Sequence, residues 1–273
     1  MSQKFKEYRW IIGLVGLVTV LSVAIFSPKI SLDRRLLASG KKHQESREWK
    51  DAADEYDRAV HYAPNSAVGI EAARLGGGIC LYELKDYPRA VFFFRHIVRH
   101  SQKEAEVKWA QQKLAEVYYD KLNDYAQAIV EYQRLLQANP DLNEATEYKL
   151  RLARAYFYMA NFDQAISEAQ EFVATVPNSD KKFDMLMIKA DALLAEKKLD
   201  EAIELYNQLE KEFADHPEAY QVKLNKSLAY EDKKDWDRAV AELEAIKDKY
   251  PHPDVIALKV RSILRRKERK KDL

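Results

Sequence analysis

An alanine recurs along this chain at an almost fixed interval, and helical patterning surrounds each copy. The gaps between successive copies are 38, 38, 37, 37 and 37 residues, and the six copies are Ala52, Ala90, Ala128, Ala165, Ala202 and Ala239. A constant period of this length predicts stacked helical repeats that bury their apolar faces only against their neighbours. Such an array offers a surface for binding, so the period favours a binding protein over an enzyme.

Other residue types recur with the alanines. A small residue stands 12 positions before five of them, at Gly40, Gly78, Ala153, Ala190 and Ser227. An aromatic residue stands four positions after four of them, at Tyr56, Phe94, Tyr132 and Tyr206, and a proline 12 positions after four of them, at Pro64, Pro140, Pro177 and Pro251. Small residues let two antiparallel helices approach closely, aromatic rings fill the gap to the next repeat, and proline stops the second helix.

These repeats resemble tetratricopeptide (TPR) repeats, and the resemblance covers residues 33–252. It implies an all-α fold, a right-handed α-solenoid of about six helix pairs. The period exceeds the usual TPR length of about 34 residues and is similar to that of TPR proteins of bacterial envelopes. A plain helical bundle does not explain the constant spacing.

Composition limits the classes of partner and the cysteine chemistry. The chain carries 45 basic and 44 acidic side chains, for a net charge of +1. A nucleic-acid-binding protein carries a strong basic excess, so the balance argues against that class. The single cysteine, Cys80, excludes an intrachain disulfide and is predicted to be a small buried apolar residue.

The first 32 residues differ from the repeats. Residues 1–9 form a basic tail, residues 10–26 an uncharged apolar run of 17 residues, and residues 27–32 a linker. As a helix the run rises about 25 Å, near the lower limit for crossing a bilayer. We expect one N-terminal transmembrane anchor with Trp10 at the interface. A signal peptide cut after Ala24 is the alternative, but the apolar run continues through Ile25 and Phe26.

The side of the membrane on which the repeats lie is ambiguous, because basic residues flank the apolar run on both sides. Lys4, Lys6 and Arg9 precede it, and Lys29 and Arg34 follow it. We favour a single-pass protein of the inner (cytoplasmic) membrane with the solenoid outside the cytoplasm, since a short basic tail before an apolar segment is the common layout of signal anchors. A solenoid that faces the cytoplasm remains the alternative.

Residues 253–273 are predicted to form a capping helix and a basic tail. An apolar face over the last repeat is predicted from Val255, Ile256, Leu258, Val260, Ile263 and Leu264. The basic run that follows is either a solvated helix end or a contact to anionic lipid or to an acidic partner, with Lys270 and Lys271 as the membrane-contacting residues.

The sequence predicts no catalytic residues, no metal site and no cofactor. His96 and His100 stand four apart on one helix, but a zinc-protease glutamate and a third ligand are missing. The run from Gly76 to Gly78 lacks the Gly-Lys-Ser/Thr of a phosphate-binding loop and lies inside a repeat helix, where close helix contact explains it.

The TPR resemblance implies where a partner binds, because the first helix of each repeat lines the family's concave groove. Carried onto this chain, the groove positions are Leu75, Ile79, Tyr82, Lys113, Val117, Leu150, Arg154, Phe157, Tyr158, Met187 and Leu194. This mixed apolar and aromatic set suits an amphipathic helix or an extended peptide, with Tyr82, Phe157 and Tyr158 as anchors. The alternative for each residue is plain packing between adjacent first helices.

The sequence therefore favours a membrane-anchored scaffold that recruits a protein partner and assists the assembly or localisation of an envelope complex. One alternative is a cytoplasm-facing adaptor for a polarity, motility or signalling protein. Another is an accessory domain that binds glycan or lipid for an envelope enzyme.

Overall fold

The computed structural model describes residues 32–271, and every regular element in that range is a helix. The α-helices are α1 (32–45), α2 (Trp49–Tyr62), α3 (Ala67–Tyr82), α4 (Tyr87–His100), α5 (Glu104–Glu116), α6 (Tyr125–Gln137), α7 (Leu142–Tyr158), α8 (Phe162–Thr175), α9 (Lys182–Ala195), α10 (Leu199–Glu212), α11 (Ala219–Asp232), α12 (Trp236–Glu244) and α13 (Pro253–Lys271). A short π-helix, Val117–Lys121, follows α5 directly. The predicted all-α repeat fold is confirmed, with six successive helix-turn-helix repeats before the terminal helix.

The chain divides into two compact parts, one ending at Asn123 and the other beginning at Asp124. We call their described portions the N-terminal half (32–123) and the C-terminal half (124–271). Within each half, consecutive helices contact one another in chain order. In the C-terminal half α7 also contacts α9, and α9 contacts α11, so the first helices of successive repeats lie side by side.

The recurring alanines lie where each repeat begins its second helix. All six are fully buried. The small residue in the first helix also lets the two helices of a repeat approach closely. In the first repeat, a Cβ added to Gly40 would lie only 2.6 Å from the Tyr56 ring. The sequence pattern therefore reports the tight packing of the two helices in a repeat.

A left-handed residue precedes every second helix. The φ angles lie between 51° and 63° at Arg47, Lys85, Asn123, Ala160, Lys197 and Lys234, and none of these residues is glycine. In the fourth repeat the Ala160 N–H donates to the carbonyl of Phe157 at 2.9 Å and the Asn161 N–H to that of Tyr156 at 2.9 Å. This pattern caps the first helix with its free carbonyls satisfied, as in a Schellman motif. The same pair of hydrogen bonds follows α1, α7, α9 and α11, and this shared turn explains why the period is nearly constant.

A buried ionic cluster joins α10, α11 and α12. Lys226, whose side chain is 4% exposed, contacts Glu210 and lies 2.7 Å from Glu242. Lys223 lies 2.5 Å from Glu210 and 3.4 Å from Glu242. Burial alone raises the pKa of Glu210, but the hydrogen bonds from Lys223 and Lys226 outweigh it, and the pKa is lowered. The lysines therefore hold Glu210 in its charged form.

The terminal helix α13 covers the last repeat with half of the predicted apolar face. Ile256, Val260 and Ile263 are buried in one cluster with Leu243 and Ile246. The prediction is wrong for the other three residues, because Val255, Leu258 and Leu264 are exposed. A helix presents only one side to a flat contact, and these three point away from it.

Several predictions concern residues that the structure does not describe. The proposed anchor at residues 10–26, with Trp10, lies outside the described range, as do the side chains of Lys270 and Lys271. Within residues 32–271, no helix combines the length and the apolar character required to cross a bilayer.

Candidate binding surface

The first helices of the N-terminal half are linked to one another by polar contacts. Lys41 of α1 lies 2.6 Å from Glu71 of α3. Lys113 of α5 donates to the Tyr82 hydroxyl of α3 at 3.0 Å and to Glu116 at 2.6 Å. Burial lowers the pKa of Lys113, but these two hydrogen bonds outweigh it, and the pKa is raised. The exposed side of α1, α3 and α5 is the first-helix surface of this half.

The helical register of α3 and α5 is one residue away from the register predicted. A Cβ on Gly77 would lie 2.6 Å from the Phe94 ring, whereas a Cβ on Gly78 would meet nothing within 4 Å. Gly77, not Gly78, therefore contacts the recurring aromatic residue of the second repeat, and Gly76 beside it approaches the Phe93 ring equally closely. In the third repeat, the fully buried Ala115 stands at the same distance of 13 positions before the recurring alanine.

Widened helix ends accommodate the extra residue in these two repeats. The Leu84 N–H donates to the Ile79 carbonyl, five residues back, at 3.0 Å. The π-helix after α5 ends with the same kind of bond, from Leu122 to Val117 at 3.0 Å. The sequence indicates the extra residue, because the first two gaps between the recurring alanines are 38 residues long and the later gaps are 37. The outward-facing residues of α3 and α5 consequently lie one residue earlier in the sequence than predicted.

The shift and the packing remove several predicted groove residues from the surface. Ile79 is 5% exposed, Val117 0%, Leu150 2% and Met187 8%. These four side chains fill the interior between helices, so a partner in the groove does not reach them. This corrects their assignment as groove residues.

The remaining predicted residues keep some accessible surface. Leu75, Lys113, Arg154, Phe157 and Leu194 are partly buried. Tyr82 and Tyr158 are 58% and 55% exposed. These two tyrosines are the predicted anchors that the structure leaves most open.

A cleft of about 430 Å³ opens between α3, the end of α4 and α5, on the first-helix surface of the N-terminal half. It is lined by Asn65, Ala67, Ile70, Glu71, Arg74, Ile97, His100, Ser101, Gln102, Lys103, Glu106 and Trp109. Arg74 and Trp109 are not among the groove residues predicted from the sequence. Both occupy groove positions once the register is shifted by one residue.

Most charged groups of this cleft are paired. Glu71 is paired with Lys41, and Glu106 lies 2.9 Å from Lys103. Hydrogen bonds from Lys103 and Ser101 lower the pKa of Glu106. Within the described chain, Arg74 forms no hydrogen bond or ion pair. Its guanidinium lies in a cleft that also holds the Trp109 indole, which packs edge-on against Phe94 at 5.5 Å.

The first-helix surface of the C-terminal half has an ion pair and an aromatic group. Arg154 of α7 lies 2.8 Å from Asp184 of α9. Near the end of α7, Tyr158 packs against Tyr125 at 4.9 Å and against Phe157 at 6.0 Å between ring centroids. Met159 beside them is 48% exposed. Exposed aromatic and methionine side chains of this kind are enriched where partners bind.

The carboxylate of Asp191 on α9 is partly buried and is hydrogen-bonded to α10 and α11. Asp191 Oδ1 accepts hydrogen bonds from the Tyr206 hydroxyl at 2.6 Å and from the Asn225 amide at 2.7 Å. Burial raises the pKa of Asp191, although both hydrogen bonds act to lower it. The same burial, together with the Asp191 charge, raises the pKa of Tyr206.

The histidines singled out from the sequence have structural contacts. The His96 Nε2–H donates to the Pro64 carbonyl at 2.9 Å, and His100 Nδ1 lies 2.6 Å from Asn65 Oδ1. Burial lowers the pKa of His96. These contacts tie the end of α4 to the turn between α2 and α3. Cys80 is fully buried, which raises the pKa of its thiol to about 12.

One described cluster has ligand atoms within metal-binding reach. The ligand atoms of His43, Glu48 and Asp51 lie within 4.8 Å of one another, in and beside the turn into α2. His43 Nδ1 and Glu48 Oε2 are 2.5 Å apart and hydrogen-bonded. The positive end of the α2 dipole opposes a cation there, and Glu48 and Asp51 are exposed. The cluster is therefore better explained as a polar helix start.

Family profiles match the repeats directly. Three tetratricopeptide repeat profiles match residues 109–141, 150–217 and 193–261. Among curated proteins, none matches this sequence.

Solved structures share the fold at low sequence identity. A chain in the structure of Naa15/Naa10 bound to HypK-THB superposes with a TM-score of 0.64 and 15% identity, covering 95% of this chain and 37% of that chain. The apo form of RapI superposes with a TM-score of 0.58 at 14% identity, and the match covers 87% of this chain and 72% of RapI. YrrB, described as a TPR protein with an unusual peptide-binding site, superposes with a TM-score of 0.50 at 18% identity. That match covers 77% of this chain and 99% of YrrB. The present chain thus spans well under half of the first of these proteins.

Proposed function

Because the chain is a tetratricopeptide repeat protein, we propose that it is a protein–protein interaction scaffold that binds a peptide or an amphipathic helix on its first-helix surfaces. The observation that carries the proposal is the cleft of the N-terminal half, which is lined by both Arg74 and Trp109. Arg74 is exposed and Trp109 is partly buried, and arginine and tryptophan are both enriched among binding hot spots.

The chemistry of the cleft favours a segment with both an acidic and an apolar side chain. Ala67, Ile70 and Ile97 supply apolar lining, while Arg74 supplies a positive charge that is not in an ion pair, although it also attracts Glu106. Since the acidic groups Glu71 and Glu106 are already paired, an incoming carboxylate meets no uncompensated negative charge from them. The likeness in fold to YrrB, a TPR protein with an unusual peptide-binding site, supports the same use of the surface.

The C-terminal half offers the second contact area of the proposed scaffold. Tyr158, Phe157 and Met159 form an aromatic and sulfur-containing patch at the end of α7. Such side chains provide large contact area at low conformational cost. Recruitment requires no turnover, and we propose no catalytic residue.

The membrane part of the proposal depends on the sequence. We propose that residues 10–26 anchor the protein in the inner membrane, with Trp10 at the interface and Lys270 and Lys271 near anionic headgroups. Placed at the membrane, the scaffold assists the assembly or localisation of an envelope complex, with the repeats outside the cytoplasm. The cytoplasm-facing adaptor is the competing arrangement.

A topology experiment separates these arrangements. A reporter that is active only outside the cytoplasm is fused after Leu273, and protease access is probed in intact cells. Activity in a membrane-bound, full-length product supports the extracytoplasmic scaffold. An inactive reporter on a stable membrane-bound product rejects it in favour of the adaptor, and a soluble exported product trimmed near Ala24 rejects the anchor.

The binding proposal is tested with peptides selected from a random library against the full chain. We expect the affinity of the selected peptides to fall by about tenfold or more in Arg74→Glu and in Trp109→Ala, as hot-spot substitutions do. The Phe157→Ala/Tyr158→Ala variant tests the C-terminal patch in the same way. Arg58→Glu on α2 and Phe92→Ala on α4 are matched controls on second helices. Retained affinity in all first-helix variants rejects the surface assignment.

A further inference from the structure

The outer side of α13 carries a row of arginines. Arg261, Arg265 and Arg269 stand four residues apart and are exposed. They lie on the side of the helix opposite Ile256, Val260 and Ile263, which are buried against the last repeat. We call these three residues the arginine stripe.

The neighbouring cations of α13 are neutralised, and the stripe is not. Lys259 lies 2.6 Å from Glu231, Arg266 lies 3.3 Å from the same glutamate, and Lys267 contacts Asp237. Within the described chain, no carboxylate lies within ion-pair distance of Arg261, Arg265 or Arg269. The only hydrogen bond that the stripe makes there is from Arg261 Nε to the Ala257 carbonyl at 3.4 Å.

The positive charge is local to this end of the chain. Residues 253–273 contain eight basic and three acidic residues, although the whole chain has a net charge of only +1. An uncompensated patch on a nearly neutral protein steers negatively charged partners to one place.

The shape of the patch favours a protein segment as its occupant. A shallow depression of about 290 Å³ is lined by the stripe together with Leu258, Ser262 and Arg266. Leu258 is 57% exposed and gives the depression one apolar wall. Guanidinium groups bind carboxylates in a bidentate manner, and a spacing of four residues separates successive arginines by about 6 Å along the helix. Carboxylates at the same spacing on a second helix match that interval.

A membrane surface fits the patch less well. A helix that lies on a bilayer needs a broad apolar face beside its basic residues. In α13 the apolar residues Ile256, Val260 and Ile263 are buried against the last repeat. The exposed apolar residues of α13 are Val255, Leu258 and Leu264. The arginine stripe separates Leu264 from the other two around the helix, so they do not form one broad face.

We propose that the arginine stripe is a docking site for an acidic, helix-forming segment of a partner protein. Carboxylates of that segment pair with Arg261, Arg265 and Arg269, and one of its apolar side chains contacts Leu258. The stripe lies on α13 and not on the first-helix surfaces, so this second interaction site stands independently of the proposed peptide-binding function.

The test uses the purified full chain and a labelled synthetic peptide with glutamates every four residues and leucines between them. We expect saturable binding that weakens with added salt. Binding should weaken by about tenfold or more in Arg261→Glu/Arg265→Glu/Arg269→Glu, because three charge-assisted contacts are lost. A control triple variant, Lys50→Glu/Lys211→Glu/Lys249→Glu, changes the net charge equally at exposed sites elsewhere and should bind as the wild type does.

Each other outcome overturns the proposal. Equal binding by both triple variants shows a net-charge effect and no site. No binding of the peptide by the wild type removes the stripe as an acidic-segment site. If the stripe variant instead loses attachment to phosphatidylserine vesicles relative to phosphatidylcholine vesicles, with the peptide unbound, the occupant is the membrane. Circular dichroism of all three proteins confirms that the comparison is made between folded chains.

Discussion

At the scale of single residues, the turn inside each repeat places a side chain in the left-handed region of backbone conformation. Lysine, arginine, asparagine and alanine hold these six positions, although glycine adopts positive φ without a steric cost. Asparagine tolerates the conformation best of the four types, and the alanine side chain has no polar group that could stabilise it. The fold therefore holds a small strain at Ala160, where φ is 56°.

Replacing that alanine should stabilise the protein. Ala160→Gly is expected to raise the free energy of unfolding by about 0.5 to 1 kcal/mol, because the relieved strain exceeds the added entropy of the unfolded chain. Urea denaturation measures this gain, provided that the dependence of the unfolding free energy on urea concentration is the same in both proteins. Asn123→Gly is the matched control and should give a smaller gain. A midpoint that falls in Ala160→Gly contradicts the strain assigned to the turn.

Asp191 gives a residue-scale prediction with a pH dependence. Burial raises its folded-state pKa above the unfolded value, so its contribution to stability is fully present at low pH and is lost as the pH rises through the folded pKa. Asp191→Asn keeps an oxygen acceptor for Tyr206 and Asn225 and removes the titration. The stability of the wild type relative to this variant should fall as the pH rises from about 4.

The alanine variant separates charge from hydrogen bonding at the same site. Asp191→Ala leaves the buried Tyr206 hydroxyl without this acceptor and should be about 1 to 3 kcal/mol less stable than Asp191→Asn at every pH. Unfolding by urea at several pH values measures both variants. If the stabilities of the wild type and Asp191→Asn run parallel with pH, ionisation of Asp191 does not affect folding.

At the scale of the helices, the ionic cluster of α10, α11 and α12 places the buried Lys226 between Glu210 and Glu242. Lys226→Met keeps the length of the side chain but leaves Glu210 and Glu242 with Lys223 as their remaining cation in the cluster. Removing one member of a buried charge group costs about 3 to 5 kcal/mol, and we expect a loss near the lower end because Lys223 remains.

The loss should depend on pH in a defined direction. The pKa of Glu210 is lowered in the folded protein, so the stabilisation it provides is present above its unfolded pKa and disappears as the pH falls through the folded pKa. The difference between the wild type and Lys226→Met should therefore shrink in acid. Lys211→Met, at an exposed site on α10, should leave the unfolding midpoint unchanged. A Lys226→Met midpoint equal to that of this control contradicts the role of the cluster.

The helices also show which features a sequence of this kind can predict. The recurring alanines locate every second helix, because a fixed position needs a small side chain whatever surrounds it. The register of α3 and α5 was missed by one residue because Gly78 and Gly77 are identical in type, and only the contact with Phe94 distinguishes them. That one residue decides whether Ile79 or Arg74 faces a partner. The outer and inner sides of α13 could not be told apart either, because both contain aliphatic residues.

At the scale of the whole molecule, two surfaces of different chemistry serve the proposed scaffold. The first-helix surfaces combine paired charges with exposed aromatic side chains, whereas the terminal helix presents unpaired arginines. A scaffold with two independent sites can hold two segments of one partner or two partners at once, and simultaneous engagement of one partner raises the overall affinity. The proposed anchor would place both sites at the membrane.

Site-specific photo-crosslinking in cells that produce the full chain tests whether the first-helix surfaces bind a protein partner. A benzophenone amino acid replaces Tyr82 or Tyr158 on the first-helix surfaces, and Phe92 on α4 is the second-helix control. We predict discrete adducts to a protein partner from Tyr82 and Tyr158, lost when Arg74→Glu and Trp109→Ala are added at the Tyr82 site, and no adduct from Phe92. Adducts only from Phe92, or at equal yield from all three positions, contradict a partner-binding role for the first-helix surfaces.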